Sequence, residues 1–233
     1  MESYEFTRLI LGIVFVAAIV IYFLNRTLLK KYTFSSIFVT RTAIFAAFSV
    51  ILYLVPIIKF KLPFFPAFLE IHLDEVPILI AGFAYGPFSA IIITIVKTLV
   101  KLPFTSTLGV GELADLIYTL AFVIPASLIY KKNKSIKGSL VSVLFGSVCQ
   151  IIVASFVTSF GILYFYMYVM GLSEQTIIAM CKAVNPAVNS LGFTFLLFVA
   201  LPFNALKNAI VIVLTFLLYK RLHTFIDSKL EKN

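Results

Sequence analysis

Asn204, Lys207 and Asn208 interrupt the last long apolar run of the sequence, in the stretch Pro202-Phe203-Asn204-Ala205-Leu206-Lys207-Asn208. At helical spacing they fall at i, i+3 and i+4 and share one face. An amide and an ammonium placed together can hydrogen-bond the carbonyls of a ligand, and Pro202 frees a backbone carbonyl beside them. If Lys220 marks an inner membrane boundary, Lys207 lies roughly 20 Å and Asn204 roughly 24 Å beyond it. A lysine that deep costs about 2.5–3.5 kcal/mol to insert, so it needs a partner or a wet cavity. The alternative is a hydrogen-bonded cluster that only packs helices.

Two other stretches carry suitable groups. Residues 59–75 combine Pro63 and Pro66 with Phe64, Phe65 and Phe68 and with Glu70, Asp74 and Glu75. They read either as a lid, with Phe68 and Leu69 over an apolar ligand, or as an anchor at headgroup level. His72 and Glu75 have H-x-x-E spacing, but no second histidine follows, so no metal site is expected. Residues 103–115 contain Thr105-Ser106-Thr107-Leu108-Gly109-Val110-Gly111-Glu112 and end at Asp115. The Gly-x-Gly-x-x-Ala spacing there follows no strand and is not a dinucleotide fingerprint. It reads as a glycine turn into a helix with Glu112 in the first turn, where Thr105 and Glu112 either bond a polyhydroxylated ligand or cap the helix. Lys97 is read as a snorkelling residue or a partner of Glu112.

The elements that hold these residues follow from composition. The chain has 233 residues, 61% hydrophobic and 12% charged, and a mean hydropathy of +1.08, against roughly 45–50% and 25% in ordinary globular chains. The polar surface is too small for a soluble core, so the solvent is lipid and the fold is an all-α integral membrane protein. The net charge of +9 then records loop orientation, and no nucleic-acid partner is expected. Cys149 and Cys181 read as small apolar fillers.

Apolar segments fall at about 9–24, 36–58, 76–100, 111–130, 138–168 and 190–219. Three basic clusters, around Arg26 to Arg41, Lys131 to Lys137 and Lys220 to Lys232, should share the cytoplasmic side. That requires an even number of crossings between them, so Tyr85-Gly86-Pro87 must split 76–100 into two short helices. The result is seven spans with the N-terminus outside and the C-terminus cytoplasmic. Five basic residues then lie outside (Arg8, Lys59, Lys61, Lys101, Lys182) and two, Lys97 and Lys207, within the membrane. The expected division is an extra N-terminal helix over 1–34, a substrate-binding core over 35–222 and a cytoplasmic tail over 223–233. No signal-peptide cleavage site follows the first apolar stretch. Ala43 and Ala47, four apart, allow close approach of another helix. No Walker-type motif is present, and no nucleophile–base pair suggests an intramembrane enzyme.

Four stretches in order, Phe65-Pro66-Ala67-Phe68-Leu69, Gly82-Phe83-Ala84-Tyr85-Gly86-Pro87, Thr105 to Ala114, and Leu201 to Lys207, resemble the substrate-binding S component of energy-coupling factor vitamin transporters, in particular the riboflavin-specific branch. The resemblance implies a six-helix core that loads riboflavin or FMN from outside the cell membrane. It also implies association with a transmembrane coupling protein and two ABC-type ATPases. Asn204 and Lys207 would hold the polar edge of the isoalloxazine ring, and Ala43 and Ala47 would form the docking motif. No catalytic role and no cofactor is implied. The N-terminal helix over 1–34 is additional to that core, His72 stands where the branch has an acidic residue, and Thr158 stands where it has an asparagine in the pocket. Another flat heteroaromatic vitamin therefore remains an alternative substrate. An ion-coupled carrier, the competing class, would use buried acids, and Glu112 and Asp115 are the candidates, both placed near the surface.

Overall fold

The computed structural model describes residues 35–56 and 59–230, with side chains to residue 218. The expected N-terminal helix over 1–34 lies outside the described residues. The chain divides into two units, Met1–Val39 and Thr40–Asn233. Of the first, only the start of α1 is described, and every feature below belongs to the second.

All regular elements described are helices. α1 (Ser36–Leu54) buries Thr42, Ala46, Ser49 and Tyr53 on one face, the spacing of a helix with a single packed stripe. α2 (Glu75–Tyr85) is buried from Glu75 to Phe83; an apolar helix without a polar face belongs in the middle of a bundle. It ends at Gly86, whose φ of 95° suits glycine, and Pro87 opens α3 (Pro87–Lys101) at its first turn. The expected split at Tyr85-Gly86-Pro87 is there. Only one half is short, because α3 runs into a 3₁₀ turn at Leu102–Phe104 and spans 18 residues.

α4 (Val110–Lys132) and α5 (Ile136–Tyr168) form the longest antiparallel contact, joined by a turn in which Ser135 Oγ accepts from Gly138 N at 2.9 Å. They approach closely at Gly146, where a Cβ would sit 2.5 Å from the Phe122 carbonyl. α2 and α4 do the same at Gly82, where a Cβ would meet Ser127 Oγ at 2.2 Å. A short α6 (Glu174–Lys182), capped by Ser173, lies between the apolar segments expected at 138–168 and 190–219. α7 begins at Phe193–Phe195, passes through Leu196–Ala200 and continues over Leu201–Leu230, so it extends into the residues read as a tail. Both α5, at Thr158–Ile162, and α7, at Leu196–Ala200, contain a π-helical turn.

Five of the described helices are long and apolar enough to cross a membrane, and α2 is shorter. Two apolar clusters fill the bundle. The larger joins α1 to α5 and α7 around Ile78, Leu79, Phe122 and Val211. The smaller joins α5, α6 and α7 around Leu163, Ile177, Cys181 and Phe195, with Phe65, Phe68 and Leu69 packed onto it. Burial pushes the Cys181 thiol up to about 11, so it packs as a neutral group.

Candidate functional site

A cavity of about 480 Å³ opens at the end of the bundle that carries the 59–74 loop, the 105–109 turn and α6. That volume is in the range of small-molecule sites. Its roof is apolar and aromatic: Phe68 and Leu69 from the loop, Tyr166 from α5 and Met170 just past its end, Ile177 and Met180 from α6. The loop is tied shut by a backbone bridge between Phe60 and Ile71 and by Glu70, which pairs with Lys61 at 3.3 Å and Lys59 at 3.9 Å. Phe65 packs edge-on against Phe203, with centroids 5.2 Å apart, and Phe68 stacks on Phe195 at 6.3 Å. Phe64 faces outward. Within one loop, Phe65 and Phe68 pack inward and Phe64 does not.

The deep wall is polar, and three helices build it from pairs spaced i, i+3. α7 supplies Asn204 and Lys207, α4 supplies Asp115 and Tyr118, and α5 supplies Thr158, whose pair Ser155 is fully buried and does not line the cavity. Each pair touches the next. Asn204 Nδ2 donates to Ser155 Oγ at 3.2 Å, the Thr158 and Tyr118 hydroxyls are 2.9 Å apart, and Asp115 Oδ1 lies 3.9 Å from Lys207 Nζ. These contacts link the three helices in a closed circuit.

Within it, Asn204 Nδ2 also donates to the Ala200 carbonyl at 2.9 Å. A carbonyl only accepts, so this bond fixes which way the amide points. The nitrogen expected to donate to a ligand is committed, and Asn204 offers the cavity its oxygen. Lys207 donates to Glu75 Oε1 at 2.9 Å, an oxygen that also accepts from Gln150 Nε2 at 2.6 Å. The ammonium has three N–H donors, so two remain without a hydrogen-bond partner in the protein, with Asp115 Oδ1 3.9 Å away.

Beneath the wall is a charge cluster with no counterpart in the sequence expectations. Lys97 is fully buried, donates to Asp74, to Asp115 at 2.8 Å and to Thr119 at 3.2 Å, and stands 4.8 Å from the centre of the Tyr53 ring. Both expectations for it, snorkelling and pairing with Glu112, are corrected. Glu112 instead accepts from Thr105 at 2.7 Å and Thr107 at 3.1 Å. The acids expected near the surface are corrected too, since Asp115 and Glu112 are each 6% exposed and Asp74 and Glu75, read as loop residues, are fully buried. His72 and Glu75 diverge: His72 Nδ1 is 3.5 Å from Asp74 Oδ1, while Glu75 serves Lys207 and Gln150.

Residues 38–219 match the family described as "ECF transporter, substrate-specific component". The chain belongs to this family. Two curated relatives are riboflavin transporters: RibU of Staphylococcus aureus (strain TCH60), 28% identical over 76% of this chain and 87% of its own, and FmnP of Bacillus subtilis (strain 168), 25% identical over 82% and 96%. A solved structure, described as the S component of a bacterial ECF transporter, superimposes with a TM-score of 0.62 at 26% identity, covering 81% of this chain and 96% of that one. The family assigns the chain to transport and not to catalysis.

In this ECF substrate-specific component, six of the residues singled out from sequence line the cavity: Asn204, Lys207, Thr158, Glu112, Phe68 and Leu69. Two do not. Asn208 is fully buried and donates through Nδ2 to the Ser147 carbonyl at 3.2 Å and to Ser147 Oγ at 3.1 Å, which binds α7 to α5. Thr105 closes its own turn, accepting from Thr107 N at 3.1 Å and Gly109 N at 3.0 Å while donating to Glu112. Tyr118 and Asp115 line the cavity but were passed over as ligand groups. Asp115 lies at i+3 from Glu112, and Tyr118 at i+3 from Asp115, a spacing that could have revealed them. Ala43 and Ala47 are exposed on α1, beside the stripe that buries Thr42 and Ala46.

Proposed function

We propose that this substrate-specific component binds riboflavin in the cavity. The arrangement that carries the reading is an ammonium and an amide oxygen, Lys207 and Asn204, side by side on the deep wall beneath an aromatic roof. A flavin presents a flat apolar ring system with adjacent carbonyl and N–H groups on one edge and a polyhydroxylated chain on the other. The wall suits the edge, the roof suits the ring faces, and Glu112 on the cavity lining suits hydroxyls. The names of both curated relatives point the same way.

The bundle sits in the cell membrane with the cavity open outward and the Gly86 and Asn133 turns toward the cytoplasm, a reading supported by the distribution of basic residues. It comprises six core spans, α2 among them. Delivery of the vitamin uses a transmembrane coupling protein and two ABC-type ATPases, docked on the exposed Ala43 and Ala47 face of α1, where small side chains permit close helix contact.

Titration of riboflavin into the purified protein, followed by quenching of flavin fluorescence, tests the substrate. Saturable binding is expected, and none by a well-folded protein would refute the assignment. Uptake into vesicles with the coupling module tests docking, because replacing Ala43 and Ala47 together with leucine should abolish ATP-dependent uptake and leave riboflavin affinity unchanged.

A further inference from the structure

The charges of the described residues are sorted by end of the bundle. Glu70, Asp74, Glu75, Glu112, Asp115 and Glu174 all belong to the cavity end, by their places in the 59–74 loop and at the starts of α2, α4 and α6. The opposite end carries Arg41, Lys131, Lys132, Lys134 and Lys137 and, among the described residues, no acid. Three of these cations are accounted for within the fold. Arg41 lies 5.5 Å from the centre of the Tyr85 ring, and Lys131 and Lys132 stand in the last turn of α4, where the helix dipole favours positive charge. Lys134 and Lys137 are not accounted for. Both are exposed in or just past the turn that joins α4 to α5, and neither has a hydrogen-bond or ion-pair partner among the described residues. We propose that Lys134 and Lys137 head a site for an anionic phospholipid, holding its phosphate while an acyl chain lies along α5. The site does not rest on the vitamin reading. On the orientation proposed above the lipid belongs to the inner leaflet, and a reversed orientation would change the leaflet and not the site.

The place of Lys137 on its helix carries the argument. Leu140, Val141, Leu144 and Val148 stand at i+3, i+4, i+7 and i+11 from it, so they continue its face, and all four are exposed. From Lys137 to Val148 that stripe runs about 16 Å, the depth of one leaflet of a hydrocarbon layer about 30 Å thick. Sidedness asks only that lysines lie at this end of the bundle. It does not ask for one at the head of an apolar stripe. A molecule with an anion at one end and a hydrocarbon chain behind it fills both features, whereas an acidic protein segment or a free phosphate fills only the first. The missing acids set the class of headgroup, because the ammonium of a zwitterionic lipid would meet further cations there and no carboxylate. The turn also holds its shape: Ser135 Oγ accepts from Gly138 N at 2.9 Å, Ser139 N donates to the Ser135 carbonyl at 2.8 Å, and a Cβ at Gly138 would run into the Asn133 carbonyl. The backbone positions of the two lysines are therefore fixed, and only their long side chains adapt.

Delipidated full-length protein in detergent, offered equal amounts of phosphatidylglycerol and phosphatidylcholine with identical chains, tests the site by native mass spectrometry. Wild type should retain phosphatidylglycerol several-fold over phosphatidylcholine. Lys134→Gln and Lys137→Gln should each lower that preference by about fivefold, the equivalent of about 1 kcal/mol for a lysine beside an anionic headgroup. The double glutamine variant should lose it, and Lys134→Arg with Lys137→Arg should keep it. Millimolar inorganic phosphate should leave the bound lipid in place. Working in detergent removes any effect of the lysines on the direction of insertion, and melting curves without lipid confirm that each variant is folded; the single variants report if the double melts low. Equal retention of the two lipids by wild type, or a preference that survives in the folded glutamine variants, would overturn the site. Displacement by inorganic phosphate would overturn the lipid in favour of a free anion. Loss of association with the coupling module in the glutamine variants, with no lipid preference in wild type, would assign the lysines to an acidic protein surface instead. Riboflavin is absent from every arm, so failure here leaves the vitamin reading standing.

Discussion

Lys97 and Lys207 are both buried lysines inside the bundle, and their surroundings differ in one respect. Lys97 is enclosed by Asp74, Asp115, Thr119 and the Tyr53 ring, so all its donors are engaged within the protein. Lys207 has one hydrogen-bond partner, Glu75, and faces the cavity. Both are buried, yet Lys97 neutralises acids and holds α2, α3 and α4 together, while Lys207 has donors that no hydrogen bond within the protein fills. If Lys207 binds the vitamin as proposed, the count of free donors, and not burial, separates a structural lysine from a ligand-binding one.

The strongest test of this contrast is Lys97→Met. It leaves Asp74 and Asp115 buried without their cation, a loss of about 3–5 kcal/mol, so the empty protein should melt far lower or fail to accumulate. A variant with wild-type melting would erase the distinction. Lys207→Met should cost about 1–3 kcal/mol of riboflavin binding, a 5- to 150-fold fall in affinity. Because it also strands Glu75, the variant is best combined with Glu75→Gln, which removes the orphaned charge. Melting should then recover while affinity does not, and joint recovery of both would make Lys207 a second structural lysine. The smallest effect is expected at Asn208→Leu. Its amide bonds Ser147 away from the cavity, so thermal stability should drop by about 0.5–1.5 kcal/mol with riboflavin affinity intact.

The sequence made some of this legible and hid the rest for identifiable reasons. Asn204 and Lys207 stood out because polar residues one helical turn apart in an apolar run need a local explanation. The Tyr85-Gly86-Pro87 break was equally local, a glycine at φ 95° followed by a proline at a helix start. Asp74 and Glu75 were hidden because their partners are remote: Lys97 is 23 residues from Asp74, and Lys207 is 132 from Glu75. Read beside Glu70 and His72 they resembled loop charges, and Lys97, read beside its own helix end, resembled a snorkelling residue. Tyr118 was hidden by composition, one tyrosine among 11, since only its packing against Thr158 sets it apart.

The π turns of α5 and α7 lie against each other beside the cavity. Each holds one residue more than an α-helical path would need, and the wide turn absorbs it so that the segments on either side keep their faces. A one-codon deletion inside the α7 turn should therefore leave Asn204 and Lys207 at the azimuth they have. The same deletion a few residues later, in the regular helix just before Asn204, would swing both by about 100° without altering either side chain, so where a gap falls along this helix matters more than that it is there.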